Sequence, residues 1–264
     1  MHTTTSQPNT GQADESQELR MGIFDHLNEL RQRFLRGFIG LAIGTVIGVV
    51  FASQVFQFLL APYCQISAVA DCRLQVLGPT EGIISYFRVS LMIGGMLAIP
   101  IMTYQILMFV VPGLTGREKR SILLALPAIT VLFGVGVLFA WFILMPPALG
   151  FLQGFQPTLF KPEWTADLYL SFITSLIFWM GVAFETPLVF FVLSLLGFVT
   201  ARGLIKNWRV AVVGSAIAAA FITPTVDPVN MALVMGPLLS LYALSIVLVF
   251  FGRRLAGISN KNEK

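Results

Sequence analysis

Three glutamates stand in or beside apolar stretches of this chain, and they are the residues best placed to do chemistry: Glu29, Glu118 and Glu185. Glu29 belongs to the segment Met21 to Phe34, where Phe24, Leu27, Leu30 and Phe34 fall on one helical stripe. Arg33 follows four residues later, at ion-pair spacing on a helix. Read alone, the segment is an interfacial amphipathic helix leading into the membrane. Glu118 follows Phe109, Pro112, Gly113 and Leu114 and sits among Arg117, Lys119 and Arg120. Its plain reading is a solvated salt bridge with those neighbours. Glu185 lies within the apolar run between Asp167 and Val199, near its middle. A charged side chain at the centre of a bilayer costs about 2.5–3.5 kcal/mol on insertion scales. Glu185 must therefore be protonated, face a hydrated cavity or hold a polar partner. Pro187 lacks a backbone N–H and is expected to kink the helix there, freeing carbonyls that would line a polar concavity with Glu185. The competing reading of Glu185 is a structural hydrogen bond to a neighbouring helix.

Other chemistry is short of parts. His2 and His26 are the only histidines. A Ser–His–Asp triad would need a histidine near the membrane core or outer face, and haem held by histidines from two helices would need more than this inventory. No HExxH pair, cysteine cluster or phosphate-binding GxxxxGK-Ser/Thr loop occurs. We expect no metal, no cofactor and no enzymatic activity, which leaves transporters, channels, receptors and translocases.

The elements that must position these residues are membrane helices. Hydrophobic residues make up 56% of the 264-residue chain and charged residues 11%, against about 25% charged in soluble domains. Six segments approach the roughly 20 residues that a crossing needs: Phe34–Ala52, Ile83–Val111, Ser121–Leu144, Leu168–Val199, Val210–Ile222 and Met231–Phe251. The last two are short and could also form a re-entrant hairpin. The expected fold is an all-α membrane protein with six transmembrane helices. Residues 1–19 read as a disordered polar tail, 20–252 as a single six-helix transmembrane domain and 253–264 as a basic tail. No removable signal peptide is apparent.

Of the 17 lysines and arginines, all but Arg73, Arg88 and Lys161 fall on one side of this topology. The bias places both termini in the cytoplasm. Two outer connections, Ser53–Gly82 and Met145–Asp167, exceed hairpin length. The first contains Phe56, Phe58, Leu59 and Leu60, which suggest a short amphipathic helix on the membrane surface. It also contains Cys64 and Cys72, the only cysteines. On an oxidising face they would pair; two free thiols are the alternative. No basic patch interleaved with aromatics points to nucleic acid.

Four blocks in this order resemble the TatC family, the multispanning core of the twin-arginine protein translocase. They are His26, Leu27, Glu29, Leu30, Arg31 and Arg33; then Phe109, Pro112, Gly113, Leu114 and Glu118; then Phe184, Glu185 and Pro187; then Thr223, Pro224, Asp227 and Pro228. The resemblance covers about residues 20 to 252. Departures are Gln32, where many relatives carry a basic residue, the Thr-Pro-Thr-Val-Asp turn, and the outer cysteine pair. The resemblance implies a receptor in the bacterial inner membrane or its organellar equivalent. It would bind twin-arginine signal peptides, work with TatA- and TatB-type single-span partners, self-associate, and export folded proteins on the proton-motive force. Glu29 and Glu118 would then form the signal-peptide site, with Phe109 and Pro112 shaping the start of the loop, because paired guanidiniums need planar carboxylates. Glu185 would line a concave face for partner helices or signal peptide. A small-molecule secondary transporter is the alternative, although no internal repeat is evident; a membrane scaffold would leave the three glutamates unexplained.

Overall fold

The computed structural model describes residues 23–66, 73–110, 116–156, 158–159, 163–195, 197–223 and 227–255. The expected tail 1–19 lies outside these residues. Arg253 and Arg254 still belong to the last helix, whereas 256–264 lie outside.

Helix α1 (Ile23–Ile66) runs unbroken for 44 residues, about 66 Å at 1.5 Å per residue. It fuses three pieces that the sequence reading keeps apart: the amphipathic entry segment, the first span, and the supposed surface helix after Ser53. The reason is periodicity. Ala52, Leu59 and Tyr63 form one buried stripe that packs into the core, while Ser53, Gln54 and Gln57 fall on the exposed face. Tyr169 donates to the Leu59 carbonyl at 2.7 Å, and Phe58 stacks on Trp141 with ring centroids 4.3 Å apart. The polar residues that look like a loop are one side of a helix.

Helix α2 (Glu81–Val110) returns antiparallel to α1 along nearly its whole length. A Cβ on Gly44 would sit 2.7 Å from the Gly94 carbonyl oxygen, so the two backbones meet where no side chain fits. Apolar burial does not drive helices together in lipid; close packing of small residues does. The shared Gly44–Gly94 contact fixes the register of the pair.

Helix α3 (Gly116–Phe139) passes through a π-helical turn (Ala140–Leu144) into α4 (Met145–Gly154). The expected outer connection from Met145 is therefore helical for its first ten residues. Pro146 and Pro147 lack amide hydrogens and crowd the preceding turn, which widens to accommodate them. Met145, Ala148 and Leu149 keep the extension buried.

Helix α5 (Ala166–Phe184) is the central element: Tyr169, Leu170, Ile173, Leu176 and Met180 are all almost wholly buried. It breaks at Glu185 and resumes as α6 (Thr186–Leu195), in line with the kink expected from Pro187. The short α7 (Ala201–Lys206), α8 (Trp208–Ile222) and α9 (Pro228–Leu255) complete the bundle. Five stretches are long and apolar enough to cross a membrane: Leu27–Gln65, Glu81–Ile106, Pro127–Gly154, Ala166–Leu195 and Pro228–Phe251. Helix α8 is a shorter apolar helix of 15 residues, about 22 Å long. Helix α9, with 28 residues, is not short as expected. The Asp227 carboxylate caps it, accepting from the Asn230 amide at 2.7 Å, and the helix starts three residues before the apolar run.

Candidate functional site

The α1–α2 register decides which polar groups share a level. Gly37 faces Met102, Gly44 faces Gly94 and Gly48 faces Ser90. Continuing this antiparallel pairing brings Glu29 opposite Phe109 at one end of the bundle. Two residues 80 apart in sequence thus fall at about one axial level of the helix pair.

Glu29 is already half engaged. Its Oε1 accepts from Arg33 Nε at 3.0 Å and also from Arg33 Nη2. Its Oε2 is buried and accepts no hydrogen bond. A carboxylate offers about four lone-pair positions and takes a guanidinium in a forked pair. One oxygen is held by the chain's own arginine, while the other accepts nothing within the chain. Phe109, at the same axial level, is half-buried. Glu118 lies in the first turn of α3, one short connection after α2 and at the same end of the bundle. Its side chain is outside the described residues, as is Pro112.

Glu185 lies on the α5–α6 break and is 8% exposed. The Thr103 hydroxyl of α2 hydrogen-bonds its carboxyl, and its Oε1 is buried with no partner. The Glu185 carbonyl accepts from the Leu188 and Val189 amides, both at 3.0 Å. That carbonyl is therefore engaged within the chain and is not one of those freed by the kink. Thr103 is 22 residues into the 30-residue α2, so Glu185 meets the last third of that helix. Along α2 it is about 9 Å from the Phe109 level. Two residues beyond Thr103, Gln105 Oε1 is likewise buried without a partner. Thr103 and Gln105 escaped the sequence reading; polar residues in the largely apolar second half of α2 were the available signal.

The opposite end is held by a second set of charges that the sequence reading did not connect. Glu81 Oε2 accepts from the Leu77 and Gly78 amides at 2.8 and 3.2 Å, and its Oε1 accepts from the Asp167 amide at 2.9 Å. Arg88 donates to the Asp167 carboxylate at 2.6 Å and to the Asp167 carbonyl at 2.9 Å. One carboxylate thereby ties the loop before α2 to the start of α5. A parallel bridge between Gln75 and Thr165 joins the two connections beside it. Cys64, near the end of α1, is disulfide-bonded; Cys72 lies outside the described residues. Among the described residues, no three His, Cys, Asp or Glu side chains gather as metal ligands.

Known proteins share this fold. Residues 25–237 match the family described as Sec-independent protein translocase protein (TatC). Over 230 residues the chain is 36% identical to the Sec-independent protein translocase protein TatC of Aquifex aeolicus (strain VF5), covering 86% of this chain and 94% of that protein. It is 34% identical over 223 residues to the chloroplastic TATC of Pisum sativum, covering 84% of this chain and 62% of the pea protein's length. A crystal structure of the twin-arginine translocase receptor TatC superposes with a TM-score of 0.78 at 36% identity, covering 87% of this chain and all of that one. A protein-translocase family replaces the secondary-transporter alternative. With its apolar helices, its four ordered sequence blocks and these relatives, the chain is a multi-pass membrane protein that belongs to the TatC family of Sec-independent protein translocase proteins.

Proposed function

We propose that the chain is the signal-peptide receptor of a twin-arginine translocase and is not itself an enzyme. The observation that carries this reading is the unpartnered Oε2 of Glu29, buried at the level of Phe109. A buried acceptor without a donor costs about 1–3 kcal/mol, and an incoming guanidinium would offset that cost. Glu118 supplies the second carboxylate, and Phe109 and Pro112 help to form the site. Both termini face the cytoplasm of a bacterial inner membrane or the equivalent organellar side, following the distribution of Lys and Arg. TatA- and TatB-type single-span proteins complete the machine, the receptor self-associates, and the proton-motive force drives export of folded precursors. Glu185, with Thr103, lines the concave face on which partner helices or the apolar part of the signal peptide dock. Cys64 pairs with Cys72 on the outer face; alkylation of both thiols without prior reduction would contradict that pairing.

Photo-crosslinking tests the receptor reading. A twin-arginine precursor carrying the crosslinker beside its arginine pair is offered to membranes containing the chain. Crosslinks are expected to the wild type and to be lost in Glu29→Ala, Glu118→Ala double-variant membranes with normal insertion. Unchanged crosslinking in the double variant would refute the site.

A further inference from the structure

The end of the bundle opposite Glu29 holds a cavity of about 270 Å³ that signal-peptide binding does not use. Its walls include Leu152 of α4, Trp164 just before α5, and Asp167, Leu168, Tyr169 and Ser171 of α5. The Trp164 and Tyr169 rings stand 5.6 Å apart, centroid to centroid. Asp167 is the one charged residue among the described residues of the lining, and it is engaged on one side only. Arg88 Nη1 donates to its Oδ1 at 2.6 Å and to its carbonyl at 2.9 Å. Among the described residues nothing donates to Asp167 Oδ2, and Arg88 Nε and Nη2 have no acceptor. The two side chains are 31% and 41% exposed. A guanidinium carries five N–H donors and a carboxylate about four acceptor positions. Each partner therefore keeps capacity for the opposite charge on a ligand.

Three apolar stretches end at this cavity. Leu152 lies two residues before the end of Pro127–Gly154, and Asp167 is the second residue of Ala166–Leu195. Glu81, whose Oε1 accepts from the Asp167 amide at 2.9 Å, opens Glu81–Ile106. Stretches that cross a bilayer end where hydrocarbon gives way to headgroups, and Trp and Tyr gather at that boundary. Arg88 starts inside α2, and its side chain reaches back to the boundary at Asp167. The complementary ligand is a zwitterion: an anion for Arg88, and an ammonium with N–H donors for Asp167 Oδ2 and the neighbouring aromatic rings. Pockets that enclose a whole ligand run to roughly 300–1,000 Å³. This smaller one suits a headgroup whose acyl chains stay outside, along the exposed Leu168.

We propose that the cavity and the Arg88–Asp167 pair bind the headgroup of a phosphatidylethanolamine, its ammonium on Asp167 Oδ2 beside Trp164 and its phosphate on Arg88. A choline lipid keeps both charges but has no N–H donors for Asp167. A glycerol lipid keeps the phosphate but has no ammonium. The order in which the three lipids bind therefore separates recognition of the amine from attraction to phosphate alone.

The full chain is purified in neutral micelles and titrated with phosphatidylethanolamine, phosphatidylcholine or phosphatidylglycerol of identical acyl chains, with bound lipids counted by native mass spectrometry. The wild type is expected to bind phosphatidylethanolamine most tightly. D167N keeps an oxygen for Arg88 but turns Oδ2 into an N–H donor, and should weaken that binding roughly 5- to 12-fold. S171F places a ring in the cavity without touching the charge pair. It should abolish the preference for phosphatidylethanolamine while the Asp167 amide, held by Glu81, stays protected from hydrogen exchange. Glu29→Gln, at the other end, should leave lipid binding unchanged. The site is overturned if the wild type does not prefer phosphatidylethanolamine to both other lipids, or if S171F with a protected Asp167 amide binds it like the wild type. An equal loss in Glu29→Gln would also overturn it. Should D167N or S171F fail to insert, the other variant decides.

Discussion

Glu29 and Arg33 make opposite predictions for two substitutions that break the same ion pair. Glu29→Gln keeps the side chain's shape and an oxygen for Arg33 but removes the charge that an incoming guanidinium would meet. A hydrogen bond to a charged group contributes about 1.5–3 kcal/mol and a neutral one about 0.5–1.5. The difference of about 1–1.5 kcal/mol corresponds to precursor binding weakened roughly 5- to 12-fold. Arg33→Gln leaves the carboxylate charged, frees Oε1 to join Oε2 in a forked contact, and removes a like charge from the ligand's path. Its precursor affinity should equal or exceed that of the wild type. Were the pair only a helix-surface salt bridge, each change would remove about 0.3–0.5 kcal/mol of stability and neither would alter binding. The assay is fluorescence anisotropy of a labelled twin-arginine signal peptide titrated with the chain in nanodiscs, with thermal unfolding measured in parallel. Equal loss of affinity in the two variants, or no loss in Glu29→Gln, would refute the carboxylate as ligand.

At Glu185, replacement by Gln retains the Thr103 hydrogen bond without ionising, and replacement by Ala removes both. If only polarity matters, export by membrane vesicles should survive Glu185→Gln and fail in Glu185→Ala; if ionisation matters, both should fail, and full export by the Ala variant would make Glu185 a passenger. Gly44→Leu places a side chain where a Cβ alone would stand 2.7 Å from the Gly94 carbonyl oxygen. The α1–α2 pair should lose about 1–3 kcal/mol or more, read as a lower unfolding midpoint in detergent, and an unchanged midpoint would contradict the close crossing. Glu81→Ala releases the amides of Leu77, Gly78 and Asp167 together. Hydrogen exchange at those three amides should accelerate while exchange within α5 beyond Tyr169 holds; protection unchanged at all three would remove the carboxylate as the tie between the two connections.

Composition and the placement of Lys and Arg suffice to read a polytopic helical membrane protein, because a bilayer demands long apolar helices and leaves few other solutions. The break beside Pro187 was also legible, since a missing amide acts locally whatever surrounds it. Site residues could be named because Glu29, Glu118 and Glu185 are carboxylates in apolar surroundings, where a charge is costly enough to call for a reason. Helix ends were less legible. Ser53, Gln54 and Gln57 look like a loop until Ala52, Leu59 and Tyr63 are seen packed on the opposite face. Likewise Met145 onward looks like a loop until a π-helical turn absorbs the two prolines. Which polar groups share a level was decided only in three dimensions. The α1–α2 register puts Glu29 and Phe109 at one axial level, and the Thr103 hydrogen bond ties Glu185 to α2. Sequence periodicity reports which face of a helix is apolar; it carries no information on the axial offset between two helices, which is fixed by where their small residues let the backbones touch.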